Sequence, residues 1–211
     1  MAVNKTHLYE PGIYFVTFTN YKWLRLFDIT KSYDMVYKWF DHLKKNGHYI
    51  TAYVIMPNHL HALIGFMPGS KSINTIVGNG KRFMAYEIVE RLKQTGYHDL
   101  LSTLSSGVSP SDRKRGKLHE VFEPSFDAKH CHSHKFLNQK IEYIHGNPMS
   151  KKWDLVKHPS DYIHSSAGYY EDGRRGIYEV IHLTDCIDKH WFEKYAINLD
   201  KGRPEINEDI A

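Results

Sequence analysis

Cysteine is scarce: Cys131 and Cys186 are the only two in 211 residues. Two thiols cannot build the disulfide framework that holds small secreted domains together. Long apolar runs are also missing. No run approaches the ~18 residues that a membrane-spanning helix needs, and the mean hydropathy is −0.53. Residues 1–7 lack the apolar centre of a secretory leader, so a cytoplasmic location is expected. There is no large excess of either charge. The formal net charge is +4 and the pI about 8.8, which permits a polyanionic partner without requiring one. No internal repeat is visible, and the length suits one domain with an appendage.

What the chain does have is histidine and tyrosine, fifteen of each. At that frequency a single His or Tyr says little, and only spacing distinguishes one from another. Hydrophobic content of 41% against 25% charged allows a packed core.

The chain alternates strand-like and helix-like stretches. Gly12-Ile13-Tyr14-Phe15-Val16-Thr17-Phe18-Thr19-Asn20 is β-branched and aromatic, as a first strand should be. Met35, Val36, Trp39, Phe40 and Leu43 recur at helical spacing across 33–45, with Ser32 or Asp34 as cap and Gly47 as stop. Residues 48–56 and 59–66 read as two strands joined through Pro57-Asn58, an antiparallel hairpin. A second helix is expected from Ser72 to about Thr95, with a kink or a late start at Gly78 and Gly80. Residues 96–118 are small, polar and then basic, and read as a mobile insertion. A strand is expected through 120–122 and 126–127. A third helix is expected over 133–146, with Ser133 as cap and Pro148 beyond its end. The tail holds a strand candidate at 177–181, a short helix around 185–195 and a frayed last dozen residues. The order β-α-β-β-α-β-α implies an α+β domain with a largely antiparallel sheet and helices against it.

The stretch Tyr53-Val54-Ile55-Met56-Pro57-Asn58-His59-Leu60-His61-Ala62-Leu63-Ile64 carries the first candidate site. Strand residues i and i+2 share a face, so His59 and His61 point the same way. Leu60, Ala62, Ile64 and Phe66 take the opposite face toward a core. Two imidazoles on one rigid strand can bind a divalent metal, though such a pair alone more often packs or stays solvated. On the third helix Tyr143 and Asn147 stand four apart and share a face beside the Leu137/Ile141/Ile144 stripe. Phe136 and Lys140 share that flank. A helix Tyr in this position can also be a packing residue, and Asn before Pro a helix-ending device. His130-Cys131-His132-Ser133-His134 has the residue types of half a zinc site, but no second pair follows at zinc-finger spacing.

Taken together, Met56-Pro57-Asn58-His59-Leu60-His61 and Tyr143-Ile144-His145-Gly146-Asn147-Pro148 resemble the single-tyrosine HUH transposases. These are relatives of the IS200/IS605 transposases, and the resemblance is strongest to the branch associated with repetitive extragenic palindromes (REP). Phe122-Glu123-Pro124-Ser125-Phe126-Asp127, Asp161-Tyr162-Ile163-His164-Ser165-Ser166-Ala167 and Lys81-Arg82-Phe83 extend the match across about residues 10–170. The resemblance implies a ferredoxin-like or RRM-like fold, with the HUH motif on a strand and the catalytic tyrosine on a helix. It implies a catalytic domain over 1–170 and leaves 171–211 as an extension. It assigns Tyr143 as nucleophile and His59, His61 and Asn147 as ligands of Mg²⁺ or Mn²⁺. A tyrosine hydroxyl is a weak nucleophile at neutral pH, and a cation that polarises the scissile phosphate would assist it. The implied product is a 5′-phosphotyrosine with a free DNA 3′-OH, able to rejoin strands without ATP.

The implied partner is single-stranded or hairpin DNA, which places the protein at the nucleoid. Lys81, Arg82, Arg113, Lys114, Arg115, Lys140, Lys151 and Lys152 are the candidate phosphate contacts, and each can equally be solvated surface. Trp153 is a candidate for base stacking. Dimer and monomer both remain open, because insertion-sequence relatives share tyrosine helices between partners and palindrome-associated ones can act alone. The alternative function is a domesticated DNA-binding protein or nickase that acts on palindromic repeats without transposition.

Overall fold

In the computed structural model, which describes residues 11–68 and 71–188, the chain runs in the order β1 (Gly12–Thr19), a 3₁₀ turn at Tyr21–Trp23, α1 (Leu26–Ile29), α2 (Tyr33–Lys45), β2 (Tyr49–Met56), β3 (His59–Phe66), α3 (Ile73–Gln94), α4 (His98–Ser106), α5 (Pro110–Lys114), β4 (Asp127–His130), α6 (His134–Gly146), α7 (Ala167–Asp172) and α8 (Leu183–Asp188). The four strands lie in the order β2-β3-β1-β4, and every neighbouring pair is antiparallel. This is the α+β, largely antiparallel arrangement that the element order implies, in the ferredoxin-like strand order that the resemblance implies. No helix among the described residues is long and apolar enough to cross a membrane.

Helices cover both faces of the sheet, and strand alternation decides what each face meets. Val16 and Phe18 of β1 and Leu60, Ala62, Ile64 and Phe66 of β3 share one core with Val36, Trp39, Phe40 and Leu43 of α2 and with the Ile73-to-Leu92 stripe of α3. Ile13, Phe15 and Leu63 face the other way, onto Leu137, Ile141 and Ile144 of α6. Burying each such side chain contributes roughly 1.5–3 kcal/mol. A register shift between Ile50 and Ala52 in β2 switches its alternation. Ala52, Val54 and Met56 thereby join the α6 side, where His59 and His61 also point.

Several expectations hold, with physical reasons now visible. Pro57-Asn58 joins the hairpin and leaves Met56 opposite His59. Ser133 caps α6 by accepting from the Phe136 amide at 3.2 Å. Ser72 caps α3 in the same way through Thr75. Ser32 precedes α2 but makes no side-chain cap bond.

Others are corrected. α3 has neither kink nor late start. Gly80 allows its backbone to meet the Trp39 indole of α2, and a Cβ there would lie 2.5 Å from the ring nitrogen. Residues 96–118 are not an irregular loop but carry α4 and α5. Leu104 is fully buried, and its carbonyl accepts from Glu120. Ser109 caps α5 ahead of Pro110. The strand expected from 120 shrinks to a single bridge, Asn20 to Phe122, and β4 begins at Asp127. Residues 177–181 form no strand, although Ile181 donates to Ile50 at 2.9 Å. α8 starts ahead of the expected helix, whose far half lies outside the described residues, as do the last dozen.

The tail has a task that its sequence does not announce. β2 is an outer strand, and segment 162–181 occupies its free edge. The Ile55 amide donates to the His164 carbonyl at 2.8 Å, Ser166 donates back to Tyr53 at 3.0 Å, and the Tyr162 and Tyr170 hydroxyls reach the carbonyls of Ile55 and Thr51. An edge filled in this way offers no template for pairing with another chain.

Candidate metal and tyrosine site

His59 and His61 open β3 on the α6 side of the sheet, 4% and 6% exposed. Their ring centroids lie 4.7 Å apart. Each ring is oriented through Nδ1. The Asn58 amide nitrogen donates to the Trp23 carbonyl at 2.8 Å, which turns its oxygen toward His59. That oxygen can only accept, so His59 Nδ1, at 2.6 Å, carries the proton and Nε2 keeps a lone pair. His61 Nδ1 meets the Thr17 hydroxyl of β1 at 2.7 Å. With that hydroxyl accepting, His61 Nε2 also keeps a lone pair.

Burial holds both rings neutral. It lowers His59 to about 4, an effect that the Asn147 side chain partly offsets by hydrogen bonding and Lys152 reinforces. It lowers His61 to about 3, reinforced by His59 and Lys140. Neutral imidazole is the ligating form. Among the described residues no three His, Cys, Asp or Glu converge, so a third protein donor here would be the Asn147 amide. Asn147 caps the C-terminus of α6 and sits against His59. Two imidazole nitrogens and one amide oxygen, with Nδ1 positions tied down behind them, fit a divalent cation with open positions.

Tyr143 stands one turn before Asn147 on α6, half exposed, with its hydroxyl 3.5 Å from His61 Nε2. Its ring lies edge-on to both His61 and Phe15. The tyrosine and both histidines therefore meet within one chain. Lys140, one turn further back, holds its ammonium over the Phe15, Phe136 and Tyr143 rings at 4.6, 5.0 and 5.6 Å.

The other basic residues are dispersed. Lys152 joins the site, with its ammonium 4.2 Å from the Trp23 ring and 5.9 Å from Trp153. Lys151 is exposed beside it. Lys81 is engaged by carbonyls of its own chain. Its ammonium is partly buried and donates to the carbonyls of Glu123, Pro124 and Ser125, and burial lowers its pKa to about 8. Arg82 lies over Phe83, Arg113 reaches the Ser105 carbonyl, and Arg115 pairs with Asp112. Lys114 is exposed on α5. Arg82 and Arg115 border a concavity of about 810 Å³ against α3, whose stripe covers the opposite face of the sheet from the histidines. In His130-Cys131-His132, His130 stacks on Tyr14 at 4.6 Å and Cys131 is buried beside β1.

Three participants are not marked by the sequence: Thr17, the amide of Asn58, and Trp23. Asn58 lies inside the motif but reads there as a turn residue. Trp23 has no periodic signal, yet its ring comes within 6.0 Å of His59.

No family model and no curated protein matches the chain. Among solved structures, it resembles a REP-associated tyrosine transposase bound to a REP hairpin, with a TM-score of 0.52 and 20% identity over 85% of this chain and 89% of that one. A candidate transposase from Deinococcus radiodurans aligns at a TM-score of 0.33 and 17% identity, covering 68% of this chain and 95% of that one. The chain thus shares its α+β fold with a REP-associated tyrosine transposase.

Proposed function

We propose that this protein is a metal-dependent, single-tyrosine HUH strand transferase that cuts and rejoins single-stranded, hairpin-associated DNA. The observation that carries the reading is the Tyr143 hydroxyl 3.5 Å from His61 Nε2, with Asn147 against His59. The shared fold with a transposase that binds a REP hairpin supports it.

His59, His61 and Asn147 would hold the ion. Mn²⁺ suits two nitrogens and an amide better than Mg²⁺, which favours oxygen and water. When bound, the ion neutralises charge on the scissile phosphate. Tyr143 Oη attacks phosphorus and its proton leaves to solvent. The Oη–P bond forms, the P–O3′ bond breaks, and the departing 3′-oxygen takes up a proton. Half exposure leaves Tyr143 accessible to a strand, while its edge contacts with Phe15 and His61 hold the ring in place. In the reverse step a second 3′-OH attacks the phosphotyrosine and the strand is resealed. Lys140 lies where it can meet the phosphate on the tyrosine side. Because one chain supplies both halves of the site, a monomer suffices.

The test uses end-labelled hairpin oligonucleotides with single-stranded flanks, incubated with protein and Mn²⁺ and run on a denaturing gel. A protein–DNA band is expected from the wild type and none from Tyr143→Phe, while gel-shift binding by that variant persists. Binding without a band on any hairpin of a broad panel contradicts the reading and favours a DNA-binding protein without strand chemistry.

A further inference from the structure

We infer that Trp23, Lys152 and Trp153 form a nucleotide clamp that receives the base beside the scissile phosphate, with Trp23 as its stacking platform. The inference rests on the strand-transfer reading and adds to it a site for one nucleobase.

The Trp23 indole is 54% exposed and, with Tyr143 at 50%, is one of the two open rings beside the histidines. Its backbone is left-handed, with φ of 59° after 50° at Lys22. Two such residues in succession are unfavourable for bulky side chains, and surrounding contacts must hold them there. The Lys22 amide donates to the Glu123 carboxylate at 2.8 Å, and the Trp23 carbonyl accepts from Asn58 at 2.8 Å. The same Asn58 amide orients His59 from its other end. One buried side chain thus ties the exposed indole to a proposed metal ligand. Trp153 sets its ring 5.8 Å from His59 as well, and the Lys152 ammonium lies over Trp23. An aromatic face with a mobile cation beside it matches the two parts of a nucleotide, a base to stack and a phosphate to neutralise. When a base occupies the indole face, the long Lys152 side chain moves aside to its phosphate.

The test compares binding of two single-stranded probes of equal charge, a dT12 oligonucleotide and a 12-mer of abasic tetrahydrofuran phosphates, without added metal. Trp23→Asn removes the ring but tolerates the left-handed backbone. It is expected to weaken dT12 binding about tenfold or more, the scale of one stacked base, and to leave the abasic probe unchanged. Trp23→Phe is expected to recover most of the loss. Lys152→Gln is expected to weaken both probes alike and to reduce the salt slope by about 0.7. Equal loss of both probes in Trp23→Asn, or no loss of either, overturns the clamp. Because the readout is binding without metal, it is independent of adduct formation at Tyr143, which tests the strand-transfer reading alone.

Discussion

At the scale of single residues, the candidate site is oriented by groups that stand behind its two imidazoles. Asn58 leaves Nε2 of His59 with its lone pair free, and Thr17 does the same for His61 when its hydroxyl accepts. Supporting hydrogen bonds of this kind typically contribute 10–100-fold to metal affinity. Thr17→Val and Asn58→Ala are each expected to weaken Mn²⁺ binding by about that factor in calorimetric titration, with both histidines still present. Unchanged affinity in both would remove the tautomer argument. The histidines, Tyr143 and Asn147 are legible in the sequence because strand alternation and helical spacing are local. Asn58 reads only as a turn residue, since its partner at Trp23 lies 35 positions away. Trp23 is invisible for the same reason: its proximity to His59 depends on where the chain turns after β1.

At the scale of elements, periodicity finds those with a broad apolar stripe and misses those anchored by one residue. α2, α3 and α6 each bury several side chains and are readable. α4 buries only Leu104, and α5 none, so their polar composition resembles a loop. The Ser109-Pro110 start of α5 was a usable signal. Glycine in α3 has two meanings that composition does not separate. Nothing lies within 4 Å of a Cβ at position 78, whereas position 80 would meet Trp39. Gly78→Ala is therefore expected to stabilise the fold by up to ~1 kcal/mol, the helix-propensity difference. Gly80→Ala is expected to destabilise it by about 1–3 kcal/mol, because overpacking outweighs propensity. Urea denaturation of the two variants checks the opposite signs.

At the scale of the whole molecule, the tail that seals the β2 edge also places a half-buried histidine there. His164 stacks on Tyr33 at 3.8 Å, and burial lowers it to about 4. Burial lowers His130 to about 4 as well, and His48 below its ordinary value. A depressed histidine pKa means that the unfolded chain binds the proton first. Stability from these groups is complete above the ordinary value near 6.5. For His164 and His130 it is lost as pH falls from there toward 4, and for His48 it is lost in the same direction. Because His164 and His130 are only half-buried, the loss for each stays below the ~1.4 kcal/mol per pH unit of a fully shielded group. The urea midpoint is expected to fall steadily between pH 6.5 and 4.5, and a flat profile would contradict these burials.

The central claim is that Tyr143 becomes covalently joined to DNA at a site built from His59, His61 and Asn147 of its own chain. The most direct measurement is mass mapping of the protein after reaction with a hairpin substrate, nuclease trimming and proteolysis, with Mn²⁺ or with chelator. The account predicts a 5′-phosphonucleotide on the peptide that carries Tyr143, present with Mn²⁺ and lost with chelator or in His61→Ala. The same adduct on a different tyrosine, or at undiminished yield in chelator, would contradict it.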